Sequence, residues 1–297
     1  MTVKAAFSWR RLAWVPAAEA TLQNGVPVVG AAMPCAVRVD DGSWCVLVTG
    51  RDPENRGHVL MRRMGGDVAP VEALEEWRVV LAPGPAGAFD ESGVVASDIR
   101  KVPGGFELLY HGYRLRSGGG WWNAIGRAVL TDVGEAVDRS MSPEIGLSDT
   151  CPISVAYASW DPDGTESIWF NSAEGFDPTT CLPSRYVVCR RCDGRVAVEV
   201  TSMPDGMFAL TRPVVVRQKD RAVLFASMRG TEYTVAEFAL GAGATEPVTF
   251  PPLGLGGEVR ATAYPFILRN TTPAVLLYNG DGYGRTGFGV AVAGATA

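Results

Sequence analysis

One phrase, repeated five times, constrains the fold of this chain more than any other feature. It runs as a residue before proline or a polar equivalent, an apolar run, a tight turn, a second apolar run, then a small or polar residue. The copies begin at Met33-Pro34, Ser97-Asp98, Cys151-Pro152, Arg212-Pro213 and Tyr264-Pro265, with turns at 40–42, 103–105, 161–164, 219–220 and 270–273. The markers at 34, 98, 152, 213 and 265 stand 64, 54, 61 and 52 residues apart. Each interval holds four short strands with their loops, the content of one propeller blade. A single blade cannot bury both of its faces, so the repeats must stack in a ring. The sequence therefore predicts an all-β protein, a five-bladed β-propeller of four-stranded antiparallel blades around a central channel, with residues 1–297 as one domain. The 35 Gly and 20 Pro are scattered, as turns between short strands require. PVEALEEWR, at 70–78, is the one short window with helical periodicity and reads as a loop helix. Residues 4–14 are β-compatible, and pairing them with the last blade would close the ring and remove an exposed edge.

Charge and composition narrow the partners. A formal net charge of −5 repels phosphate backbones, which argues against nucleic acid. No run of about 18 apolar residues occurs, so no membrane span is expected. The start of the chain lacks a signal peptide's apolar stretch, because Trp9 is followed at once by Arg10 and Arg11. That reading makes the protein cytoplasmic and its six Cys reduced thiols. Cys189 and Cys192 form a lone CxxC, short of the four ligands a tetrahedral zinc needs. Neither a metal nor a cofactor is expected. The partners expected are a small molecule or carbohydrate, in a monomer or homodimer.

Position within the repeat selects the candidate site. Residues at or just before each marker should ring one mouth of the channel: Met33, Asp98 with Ser97, Cys151, Arg212 and Tyr264. Residues after each second apolar run, at 51–58, 111–114, 171–174, 228–229 and 279–285, should form another ring. Asp52 and Asp98 are carboxylates within these rings, Asp90 lies just ahead of the second marker, and His58 and His111 can donate or accept at neutral pH. Arg51, Asn123, Arg212, Tyr264, Asp281, Tyr283 and Arg285 are candidates to grip a ligand, and Trp122, beside a Gly run, is a candidate stacking platform. Each has a plainer structural reading: carboxylates near Gly cap turns, and a buried Arg is often one half of an ion pair.

Four segments carry a resemblance. GRDPENRGH at 50–58, AFDESGV at 88–94, NAIGRA at 123–128 and YNGDGYGRTGFGVA at 278–291 together resemble the five-bladed propeller glycosidases, a superfamily that includes arabinanases, invertase and levansucrase-type enzymes and mannoside phosphorylases. The likeness covers about residues 30 to 293 and is strongest to an uncharacterised bacterial branch. It implies cleavage or transfer at a glycosidic bond, which takes one carboxylate as base or nucleophile and one protonated carboxyl as acid. Asp90 is the expected essential carboxylate, with Asp52, His58 and His111 as further catalytic candidates. The resemblance also places an acid Glu near the start of the third blade, where this chain reads LSDTCP at 147–152. The nearest carboxylates there are Asp149 and Glu144. Simple glycoside hydrolysis is therefore expected to be weak or absent. The open alternatives are a non-hydrolytic tailoring step on a polar small molecule and a carbohydrate-binding pseudoenzyme.

Overall fold

The computed structural model describes residues 7–117, 119–163, 165–201, 203–218, 221–240, 247–250 and 260–294. Five antiparallel sheets follow one another along the chain and stack around a common axis. Their innermost strands are Pro27–Arg38, Gly93–Val102, Val155–Trp160, Ala209–Gln218 and Ala263–Ile267. Each pairs with a second strand, in order Trp44–Arg51, Gly105–Leu115, Ile168–Phe176, Arg221–Arg229 and Val275–Asn279. These second strands are almost wholly buried, since both sheet faces are covered by neighbouring blades, and they read as continuous apolar runs. The main core is one continuous cluster drawn from all five blades.

Ring closure follows the expected route with a slightly shifted boundary. Ser8–Pro16 is the outermost strand of the fifth blade and pairs antiparallel with Gly287–Gly294. Residues 4–6 of the expected closing segment lie outside the described residues. The first blade carries extra strands: Ala18–Thr21 pairs with the start of its innermost strand, and its outer edge is split into Glu72–Ala73 and Arg78–Leu81.

That split edge corrects the expected loop helix at 70–78. Val71 N–H donates to Gly65 O (3.0 Å) and Leu74 N–H to Arg63 O (3.1 Å), so the segment is captured by the third strand of its blade. Trp77 is buried beneath the Arg62 guanidinium, 4.5 Å from its ring centre. Nine residues are too few to hold a helix against such pairing.

The innermost strands share a device that the sequence repeat only partly traces. Each carries a β-bulge at the same register, just before the pairs Cys35–Leu47, Asp98–Leu109, Ser159–Trp169, Val214–Phe225 and Phe266–Leu277. Two residues earlier on the inner strand stand Met33, Ala96, Tyr157, Arg212 and Tyr264. Four of these are left-handed, with φ of 54° at Met33, 58° at Tyr157, 54° at Arg212 and 53° at Tyr264. In three blades a proline follows, which is why the phrase was readable there. In the third blade the equivalent pair is Tyr157-Ala158, so the expected marker Cys151-Pro152 lies six residues too early. In the second blade the proline position is Ser97, one residue before the expected Asp98.

Candidate funnel site

The bulged ring faces a second ring of buried polar residues. Two positions beyond the same register pairs, the second strands carry Thr49, His111, Asn171, Ser227 and Asn279, all buried. Most of these reach the inner strand of the following blade. Ala96 N–H donates to Thr49 Oγ1 (2.9 Å), Tyr264 N–H to Ser227 Oγ (2.6 Å) and Met33 N–H to Asn279 Oδ1 (2.7 Å). Asn171 Nδ2 and Asn279 Nδ2 donate to the Leu210 and Ala31 carbonyls (2.8 Å each). A bulge frees backbone groups from the sheet ladder, and these side chains satisfy them. They also hold the left-handed residues in place, a conformation that persists only where its surroundings over-determine it.

His111 is the exception in this ring. Its Nδ1 lies 3.4 Å from Ser97 Oγ, and its ring meets Tyr157 of the next blade edge-on, with centroids 4.9 Å apart. Tyr157 stacks on Tyr264 (5.9 Å, 26° between planes) and meets Tyr186 edge-on (6.2 Å). Tyr233 packs on Tyr264 (5.6 Å), and Tyr283 stands over both. Tyr283 is half exposed, the others largely buried, so the cluster fills the funnel neck and presents an aromatic floor at its mouth. Gly284 lets the mouth turn approach: a Cβ there, at φ +91°, would stand 2.5 Å from Ala32 N.

Several sequence candidates reach this cluster. Asn123 Nδ2 donates to Ser154 Oγ (2.8 Å) and approaches Tyr186 Oη (3.5 Å). Arg51, exposed at the rim, donates to Tyr113 Oη (3.2 Å), and Tyr113 packs with Met33, Tyr233 and Tyr264. Tyr264 and Tyr283 belong to it directly. Arg212 crosses the channel from the fourth blade to donate to Pro34 O (2.7 Å) and Ser97 O (3.4 Å). Tyr157, Tyr186 and Tyr233 fall outside the residues indicated by the sequence, whereas Arg229 belongs to the second ring without being among the ligand candidates. The signal was present for Tyr157, which occupies the same bulge position as Arg212 and Tyr264.

The carboxylates lie elsewhere. Asp52 closes the first-blade turn, accepting from the N–H groups of Glu54 (3.0 Å) and Arg56 (2.9 Å), from Arg56 Nε (2.9 Å) and facing His58 Nε2 at 3.1 Å. Burial pushes this carboxyl up, yet the hydrogen bonds from Arg56 and His58 outweigh it and leave it below its usual range. Asp90 is clamped by the Arg139 guanidinium and Tyr110 Oη (2.9 Å). Asp98 sits further along the channel, held by the Arg269 guanidinium and the Trp160 N–H (2.9 Å). Asp281 accepts from the N–H groups of Arg260 and Ala261 (3.0 and 2.8 Å). Trp122 lies under Arg114 (5.8 Å), and Arg285 is exposed. The site thus gathers Arg51, His111, Asn123, Arg212, Tyr264 and Tyr283, and leaves Asp52, His58, Asp90 and Asp98 in separate buried pairs. Among the described residues no cluster of three His, Cys, Asp or Glu stands close enough to hold a metal.

Burial holds His111 down to about 3, with the positive charges of Arg51 and Arg212 adding to the effect. The unfolded chain takes up this proton as pH falls through about 6.5, while the folded chain does not until about 3. Stability should therefore decline across that window by roughly 1.4 kcal/mol per pH unit from this group. Asn stands at the equivalent position in two other blades, so His111→Asn is expected to flatten the decline. Urea unfolding at pH 7, 6 and 5 measures it, and equal slopes in both proteins would refute the assignment.

The five blades and their funnel define a class. By fold the molecule is a five-bladed β-propeller, an architecture it shares with solved structures of glycoside hydrolases. It resembles the α-L-arabinofuranosidase from Lactobacillus brevis (TM-score 0.61, 11% identity, 89% of this chain and 90% of that one). It also resembles the catalytic domain of a GH62 α-L-arabinofuranosidase from Coprinopsis cinerea (0.61, 12%, 98% and 99%). In sequence it is similar to the uncharacterized protein Rv1502 of Mycobacterium tuberculosis strain H37Rv, 27% identical over 310 residues covering 96% of this chain and 99% of that protein. No family model matches the chain. Among the described residues no helix is long and apolar enough to cross a membrane.

Proposed function

We propose that this protein recognises a sugar-like ligand in the funnel without hydrolysing glycosidic bonds through paired carboxylates. One observation carries the reading: the ring at the funnel neck is Met33, Ala96, Tyr157, Arg212 and Tyr264, with no carboxylate among them. Glycoside hydrolysis by the paired-carboxylate route needs two carboxyl groups flanking the scissile bond. The nearest third-blade acids do not supply one, since Asp149 is exposed and Glu144 is bound to Arg191 and Arg127. His111 is neutral and buried, able to donate or accept one hydrogen bond but not to act as a charged acid near pH 7. An aromatic floor suits the apolar face of a pyranose or furanose ring, and Asn123 and the tyrosine hydroxyls suit its polar edge. The fold shared with solved structures of glycoside hydrolases supports sugar as the ligand class.

The expected result is no turnover of p-nitrophenyl glycosides, together with thermal stabilisation by a subset of free sugars. Tyr157→Ala and Tyr283→Ala should each weaken that binding at least tenfold. Vigorous glycosidase turnover by the wild type, lost on Asp149→Asn or Asp90→Asn, would overturn the proposal.

A further inference from the structure

Charge in the channel and at the funnel rim is unbalanced in one direction. Arg212 is 1% exposed. Its Nη2 reaches two backbone carbonyls, but its Nε and Nη1 are buried with no partner among the described residues. Asp98, a carboxylate of the channel, is near enough for its charge to act on Arg212 but is itself paired with the Arg269 guanidinium, and the Arg212 and Arg269 guanidinium carbons stand 5.7 and 5.9 Å from the Phe266 ring centre. The remaining titratable neighbours of Arg212 are uncharged. Burial pushes the Cys35 thiol and the Tyr157 and Tyr264 hydroxyls up, and His111 is neutral. A buried charge without a counter-charge is strongly unfavourable unless something pairs with it.

The rim repeats the imbalance. Arg229 lies 5.6 Å from the Tyr233 ring centre and has no ion pair among the described residues. Arg51 bonds only Asn55 O (2.8 Å) and Tyr113 Oη among the described residues. The acids nearby make their hydrogen bonds and ion pairs with other groups: Asp177 accepts from the N–H groups of Thr179 and Thr180, with the Arg229 charge acting on it from beyond ion-pair distance, Glu174 pairs with Arg185, Glu232 with Arg260, and Asp52 with Arg56. The opposite mouth behaves differently. It opens a cleft of about 620 Å³ lined by four basic residues, of which Arg100, Lys101 and Arg269 each face a carboxylate while Arg38 bonds the Gly66 and Asp67 carbonyls and lies over Trp44. Among the described residues, three guanidinium groups without an ion pair, Arg212, Arg229 and Arg51, thus gather at the tyrosine-lined end, against Arg38 in the opposite cleft.

We infer that the ligand of this funnel is an anionic sugar, its phosphate or carboxylate taken by Arg229 and Arg51 at the rim and drawn toward Arg212 in the neck. The inference rests on the sugar-binding reading and adds the charge of the ligand to it. Guanidinium groups match an oxyanion through a planar fork of donors, and in a water-poor neck the attraction is stronger than at an open surface.

Titration calorimetry and thermal shift with four probes test it: methyl glucoside, glucose 1-phosphate, glucuronate and inorganic phosphate, each at low and high KCl. The wild type should bind glucose 1-phosphate or glucuronate at least tenfold more tightly than methyl glucoside, with affinity falling as salt rises. Preference for one anion over the other identifies which oxyanion the site is built for. Arg229→Gln and Arg51→Gln should each remove most of that preference, while Arg195→Gln on an outer strand should not. These rim variants keep the test valid should Arg212→Met fail to fold. Equal binding of neutral and anionic sugars, unchanged in the rim variants, would overturn the anion while leaving sugar recognition standing. Binding of inorganic phosphate with no preference for any sugar would overturn sugar recognition, and no binding of any probe would overturn both.

Discussion

A chain lacking residues 1–16 is expected to lose cooperative folding. The outermost strand of the fifth blade comes from this segment, and it pairs with Gly287–Gly294 at eight positions from Ser8 to Pro16. Trp14 Nε1 also donates to Thr286 O (3.0 Å). Phe7 and Trp9 pack on Phe225 of the neighbouring fourth blade, and Trp9 also meets Phe250. The strand therefore joins the two blades across which the ring closes. Removing it takes away the buried Val15, worth about 1.5–3 kcal/mol, the partly buried Phe7 and Trp9, each worth a fraction of such a full-burial figure, and a ladder of hydrogen bonds at roughly 1 kcal/mol each. The sum approaches the whole stability of an ordinary domain, about 5–15 kcal/mol. It also leaves Gly287–Gly294 as an open edge ready to pair with another chain. Near-ultraviolet circular dichroism and a denaturant melt should show lost tertiary packing and no sharp transition. A synthetic peptide of residues 7–16 added in trans should restore part of both. A truncated protein that melts sharply at the wild-type midpoint would show that closure does not depend on this strand.

The ring was legible in the sequence because it leaves marks that do not depend on partners. A left-handed residue followed by proline recurs in three blades, and buried second strands appear as apolar runs between tight turns. The third blade was misplaced because its bulge carries Tyr157-Ala158, with no proline to announce it, while Cys151-Pro152 offered the expected letters six residues earlier. The funnel was legible only in part. Tyr264, Arg212 and His111 follow from repeat position, but Tyr233 and Tyr186 lie on third strands, which the phrase does not index. The carboxylates were least legible. Their types suggested chemistry, whereas their partners come from distant positions: Arg139 for Asp90, Arg269 for Asp98. Sequence spacing carries no information about such pairs.

Asp90→Asn is expected to act on stability, in contrast with the sequence-based expectation of an essential carboxylate that could be neutralised without thermal cost. Asp90 is 1% exposed. Its Oδ2 takes both the Arg139 guanidinium and the Tyr110 hydroxyl, and Arg139 Nη1 continues to the Ala82 carbonyl at 2.7 Å. Arg139 comes from the outer strand of the second blade, so the carboxylate ties that edge to the loop leading into the blade. Two glycines are shaped around it: a Cβ at Gly84 would stand 2.0 Å from Asp90 Oδ1, and one at Gly112 would stand 2.1 Å from Asp90 Cβ. Burial, with the adjoining Asp90 charge next in weight, pushes the Tyr110 hydroxyl up, so it stays a donor at every ordinary pH. Asparagine fills the space but carries no charge, leaving a largely buried guanidinium without its counter-ion. Breaking such a pair from one side costs about 3 kcal/mol where the partner keeps some solvent, which in a chain of this size lowers the thermal midpoint by roughly 5 °C. Asp90→Asn with Arg139→Met should recover part of the loss, because both halves of the pair are then gone. Ligand affinity per folded molecule should be unchanged, since Asp90 touches none of the funnel tyrosines named here. An unaltered midpoint with ligand binding abolished would return Asp90 to the functional site.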